Sequence, residues 1–247
     1  MSSKTLTFYT TTRRASKRLN DPVQIVLTVS LDPDKPVMYR SSKEPYDTRT
    51  METQLPIAWQ VLQFDIPNSL QHVSVDYTEE FGVTETLTEI RGVYSPGLCS
   101  LGVDTGKLVK YSGKAWSSDT LYSPGPPLKH FAIQNNAGNT AEIALCIYST
   151  REQDAQQPYI PVVLLGPLND GCELLCTTPI FLQAYLTTSY RRGQRLPMSV
   201  VENSFLFKDS AGKAQPKLMS DLKRCCTFHV YSLPNGETTV EMTLNRD

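Results

Sequence analysis

Val23, Ile25, Leu27, Val29 and Leu31 alternate with Gln24, Val26, Thr28 and Ser30. A period of two sends the first set to one face of a pleated strand and the second set to the other, the pattern of a half-buried β-strand. The same period returns at Val73, Val75 and Tyr77, and again at Ile143, Leu145 and Ile147. No segment shows the 3.6-residue apolar stripe of an amphipathic helix. The 17 prolines among 247 residues also interrupt the chain too often for long helices. The expected fold is all-β with little helix, built as antiparallel, sandwich-like sheets, because such sheets keep one dry and one wet face.

Two echoes suggest internal symmetry. Trp59 to Tyr77 resembles Cys226 to Leu244: Ile66, Pro67 and Asn68 fall on Leu233, Pro234 and Asn235, and Val73, Val75 and Tyr77 fall on Val240, Met242 and Leu244. Val23 to Val29 likewise resembles Ala141 to Ile147. The expected organisation is two similar β-rich halves, 1–124 and 125–247, joined at Ser123 to Pro127, where adjacent prolines exclude regular structure. The two echoes lie at different offsets. A duplication with an insertion within 151–224 explains that, and so does the alternation that all hairpins share. Both readings stand at this level.

The spacing predicts hairpins over 57–78, 131–147 and 226–245, the last turning at Pro234, Asn235 and Gly236. It also predicts a long loop over 32–56, a strand over 200–207, and one helical turn at Ser220 to Arg224. Tyr94 to Gly97 and Tyr122 to Gly125 share one tetrapeptide, which reads as a repeated turn.

A net charge of −1 provides no general attraction to nucleic acid or to an anionic membrane. No run of apolar residues reaches the length of a membrane span, and the N-terminal stretch lacks a signal-peptide core. A cytoplasmic, soluble chain is expected, with no nucleic-acid partner and no transmembrane segment. The six cysteines include the adjacent pair Cys225 and Cys226, whose geometry opposes a bridge between them, so free thiols are expected.

Residue types suggest two kinds of ligand contact. Arg13 and Arg14 follow two threonines, and Arg191 and Arg192 follow a Thr-Thr-Ser-Tyr run. Guanidinium forks bind carboxylate, sulfate or phosphate in pairs of hydrogen bonds; the same clusters also serve as solvated turns. Trp116, Tyr94, Tyr111 and Tyr122 lie in one Gly/Pro/Ser-rich region and offer flat faces to a ring or a sugar. Trp59, inside an apolar run, reads as core.

Cys172 and Cys176, with Cys225 and His229, are soft metal donors, but Leu174 and Leu175 make the first pair look like a core strand, so no zinc site is expected. No Gly-x-Ser-x-Gly, His-Glu-x-x-His or P-loop motif occurs, and the reading leans away from an enzyme. The expected function is a non-catalytic binding protein. It would hold a small organic molecule, a chromophore-like aromatic or a sugar acid, near the seam of the two halves. The alternatives are a cytoplasmic lectin-like or defence protein for glycans or a membrane surface, and a coat-like assembly subunit that forms a homo-oligomer.

Overall fold

A computed structural model describes residues 3–10, 19–32, 34, 37–41, 47–48, 55–65, 70–88, 92–119, 130–151, 154–179, 181–187, 189–197, 216–236 and 238–243. The strands in chain order begin with β1 (Lys4–Thr10), β2 (Val23–Ser30), β3 (Met38–Arg40), β4 (Asp47–Thr48), β5 (Leu55–Pro56), β6 (Gln60–Phe64) and β7 (His72–Tyr77). Next come β8 (Phe81–Thr88), β9 (Tyr94–Gly102), β10 (Leu108–Tyr111), β11 (Trp116–Asp119), β12 (His130–Asn135) and β13 (Ala141–Tyr148). The last are β14 (Tyr159–Leu168), β15 (Glu173–Thr177), β16 (Phe181–Thr187), β17 (Lys217–Leu218), β18 (Cys225–Ser232) and β19 (Thr238–Thr243). One 3-10 turn, Met219–Asp221, falls where the single helical turn is expected. The chain is all-β: no α-helix occurs among the described residues, and none of their helices is long and apolar enough to cross a membrane.

The strands form four sheets, in the orders β19-β18-β1-β7, β17-β16-β2-β6, β5-β14-β13-β8-β9 and β11-β10-β12-β15-β3-β4. Each sheet mixes strands from before and after residue 125. Most neighbours are antiparallel, but β1 runs parallel to β18, and β10 parallel to β12. The β1–β18 register places Phe8 beside Phe228, and their rings stack at 4.6 Å.

Alternation explains which face is dry. In β1, Leu6 and Phe8 are buried while Thr5, Thr7 and Tyr9 are only partly so. β2 and β13 lie inside their sheets between two antiparallel partners and are covered on both faces. One large core gathers Leu6, Ile25, Val83, Phe131 and Leu145 from all four sheets. Trp59 belongs to it, 1% exposed and edge-on to Tyr77, as its apolar run implies.

Two expected hairpins are not hairpins. Over 57–78, β6 pairs with β2 and β7 with β1, so the chain passes from one sheet to another. Over 131–147, β12 pairs with β10 and β15, while β13 pairs with β14 and β8. Alternation fixes which face of a strand is buried but not which strand lies beside it. The 226–245 segment does form the β18–β19 hairpin. The first echo therefore joins a true hairpin to a crossover, and the fold does not establish a duplication. The Tyr94 to Gly97 tetrapeptide opens β9 rather than making a turn, and 32–56 includes the short strands β3, β4 and β5. Its second copy, and the expected strand over 200–207, lie outside the described residues.

Asn135 makes the corner between β12 and β13. It is 0% exposed; its Nδ2 donates to the carbonyls of Asn139 and Leu168, each at 2.7 Å, and its Oδ1 accepts from the Ala137 N–H at 3.0 Å. One side chain thus replaces the backbone partners that a chain loses when it leaves a sheet.

Candidate functional site

The segment after β16 is laid back over the second face of the β2 sheet. Val26, Ala58, Tyr185 and Leu196 form a small buried cluster there, with Tyr190 packed against it. Gln24 anchors the turn: its Oε1 accepts from Thr187 Oγ1 and from the Tyr190 N–H, both at 2.8 Å. The backbone is then bonded on two sides. Ala58 N–H donates to Gln194 and Gly193 N–H to Ala58, while Tyr94 N–H donates to Gly193 at 2.8 Å.

Gly193 has φ +81°, and a Cβ there would lie 2.8 Å from the Tyr94 carbonyl oxygen. The segment therefore touches β9 at a point only glycine fits. Arg192 follows from this placement, because its neighbour fixes the backbone from which it projects.

Beside this contact lies an open groove of about 430 Å³, lined by Tyr94, Pro96, Asp154, Ile160, Pro161 and Arg192 among others. Arg192 forms a fork with Asp154, with Nη1 to Oδ1 at 2.9 Å and Nη2 to Oδ2 at 2.8 Å. Ser149 Oγ also donates to Asp154 Oδ2. Burial opposes ionisation of Asp154, but the hydrogen bonds from Arg192 and Ser149 and the charges of Arg192 and Arg151 outweigh it, holding its carboxyl below the ordinary range. Arg151 shifts the other way. Burial, then repulsion from Arg192, lowers its basicity, against attraction from Asp154 and Asp76. Arg192 Nε is shut off from solvent and has no hydrogen-bond partner among the described residues. Gln157 Nε2 donates to the Gly97 carbonyl at 3.3 Å, tying the 154–157 turn to β9.

The structure brings Tyr94 and Arg192 together here; Arg191, next to Arg192, is exposed. Trp116 and Tyr111 meet elsewhere, on the β10–β11 hairpin, with ring centroids 4.8 Å apart. Tyr111 is 2% exposed and donates its hydroxyl to Glu85, so its ring serves the core more than the surface. Burial, then the Glu85 hydrogen bond, raises its pKa. Trp116 Nε1 is buried and has no hydrogen-bond partner among the described residues. Tyr122, Arg13 and Arg14 lie outside the described residues.

Cys172 precedes β15 and Cys176 lies within it, whereas Cys225 and His229 sit on β18 in another sheet. The Cys172 sulfur accepts from the Tyr39 hydroxyl at 2.7 Å, and His229 Nε2 lies 2.8 Å from the Tyr9 hydroxyl. No group of three metal-ligating side chains gathers among the described residues. Asp154 and Gly193, central to the groove, were not singled out from the sequence. An aspartate in a polar loop has no distinguishing pattern, and Gly193 had one signal only, its position directly after the two arginines.

Comparison with protein-family models, curated proteins and solved structures finds no match.

Proposed function

We propose that this chain is a non-catalytic binding protein that holds a small organic molecule in the groove between β9 and the 189–196 segment. The observation that carries the reading is that Tyr94 and Arg192, each selected by residue type, line this one groove. Its volume of about 430 Å³ suits a small ligand, since such sites run from roughly 300 to 1,000 Å³. The walls divide the work: Tyr94, Pro96, Ile160 and Pro161 offer apolar faces, and Asp154, Arg192 and the two glutamines offer polar ones. A chromophore-like aromatic or a sugar acid matches that division. The six free thiols agree with a reducing, cytoplasmic setting.

Native mass spectrometry with an ultraviolet–visible spectrum, on protein from its own source, tests the reading. A mass excess or an extra absorption band, lost in Tyr94→Ala, supports it. A bare mass with no extra band counts against it.

A second reading, an assembly subunit, is favoured by Leu98, 95% exposed, and Leu87, 52% exposed, on the strands at one edge of the β13 sheet. Apolar side chains on an edge strand invite pairing with another chain. Light scattering over a concentration series decides it: a solution mass that stays at the 27.7 kDa of one chain rejects assembly.

A further inference from the structure

We infer that Asn235, at the tip of the β18–β19 hairpin, is a site of spontaneous deamidation. The backbone nitrogen of Gly236 attacks the Asn235 side-chain carbonyl carbon, the amide nitrogen leaves as ammonia, and a succinimide ring closes. Water then opens the ring at either carbonyl and gives aspartate or isoaspartate. The balance is one water in and one ammonia out. The reaction needs only water and a base to take the Gly236 amide proton, and it is independent of the groove.

The first support is the residue pair. Asparagine is a thermolabile residue, and Asn235 is the one asparagine of the chain that is followed by glycine. The attacking nitrogen must close on the side chain, and a Cβ on the following residue crowds that approach; glycine has none. Asn20, Asn136, Asn139 and Asn169 are each followed by a residue with a side chain.

The second support is the turn. Asn235 is exposed, and β19 lies at the edge of its sheet. Nothing lies within 4 Å of where a Gly236 Cβ would stand, so the space beside the attacking atom is open to water and base. The Gly236 N–H donates to the Leu233 carbonyl at 2.9 Å, and this bond must open before the nitrogen can attack. A bond at the tip of an exposed edge hairpin opens by local fluctuation, at a cost well below that of unfolding the chain.

The third support is a contrast within the fold. Asp170 and Gly171 are able to close the same ring, with water as the leaving group. There, however, Asp170 Oδ1 accepts from the Gly138 N–H at 2.8 Å, and the Gly171 N–H donates to the carbonyl of buried Asn135 at 2.7 Å. Both reacting atoms are tied to the β12–β13 corner. The amide of Asn135 itself is bonded to two carbonyls and shut off from water.

Deamidation alters the hairpin in two ways. A neutral amide becomes a carboxylate. Isoaspartate also routes the main chain through the former side chain, adding a carbon to a turn whose length sets the pairing of Ser232 with Thr238. The strand that loosens is β19, which carries the buried Val240.

The test ages the full folded chain in buffers of rising pH and maps its peptides by chromatography that separates aspartate from isoaspartate. Product should form at Asn235 ahead of every other asparagine and of Asp170, and faster as pH rises. Gly236→Ala should lose this early product, and so should Asn235→Gln, whose longer side chain closes the ring poorly. The converted form, separated by charge, should exchange its β19 amides faster than the fresh chain and keep the β1–β7 pairing unaltered. Earlier product at Asn136 or Asp170 overturns the inference. Product at Asn235 in urea but none in the folded chain overturns it too, by showing that the turn protects the site. Unaltered β19 exchange overturns the effect on the hairpin.

Discussion

Replacing Gly193 by alanine measures how rigidly the groove is built. Two separate penalties arise. The φ of +81° lies in the left-handed region, where a residue with a side chain loses about 1–2 kcal/mol. The new Cβ would also lie 2.8 Å from the Tyr94 carbonyl oxygen and 3.2 Å from Val93 Cγ1. The oxygen belongs to β9 backbone that donates back to Gly193, so it cannot swing aside as a flexible side chain could. Overpacking against a fixed neighbour adds about 1–3 kcal/mol, for a total near 2–5 kcal/mol. At roughly 2–4 °C per kcal/mol for a chain of this size, Tm should fall by about 4–20 °C.

Gly236→Ala is the matched control: its φ is +88°, but nothing lies within 4 Å of the added Cβ. It carries the conformational penalty without the contact, so the difference between the two variants isolates the Gly193–Tyr94 approach. Differential scanning calorimetry gives both shifts. Equal shifts would refute the claim that this contact is tight, and with it the account of how Arg192 is positioned.

Three further outcomes are expected. Asn135→Ala removes three buried hydrogen bonds, each worth about 0.5–1.5 kcal/mol, and should lower stability by about 2–4 kcal/mol in urea titration; exposed Asn136→Ala should stay within about 0.5 kcal/mol. The Asp154 carboxyl is held below its ordinary pKa, so its stabilising effect is complete above the unfolded value near 4 and is lost as pH falls through the lower folded value. The stability gap between the unaltered chain and Asp154→Asn should therefore narrow on acidification below about pH 4, and a gap that widens there contradicts the assignment. Gly82→Ala would place a Cβ 2.5 Å from the Tyr159 ring and 2.8 Å from the Leu101 carbonyl. A loss of about 1–3 kcal/mol is expected by overpacking, with Tyr159 fluorescence or NMR signals displaced, and an unshifted melt rejects this account.

Much of the fold is legible in side-chain alternation alone. It marked β2, β7, β13 and β18 as strands and put Val75 and Tyr77 on the dry side, because a pleated backbone sends neighbouring side chains to opposite faces whatever its surroundings; the apolar run Ile57 to Trp59 marked Trp59 as core. The turn at Pro234 to Gly236 was legible as well, because Gly236 supplies the positive φ locally.

The site was half legible: chemistry singled out Tyr94 and Arg192, but nothing local joins them to each other or to Asp154. Strand partners, such as β1 against β18, and the meeting of Arg192 with Asp154 were decided only by tertiary structure. Hydrogen-bonding edges of all strands are chemically alike, so the choice among them depends on which arrangement buries the most apolar surface and leaves no polar group unpaired. That is a property of the whole chain, which no short stretch of it contains.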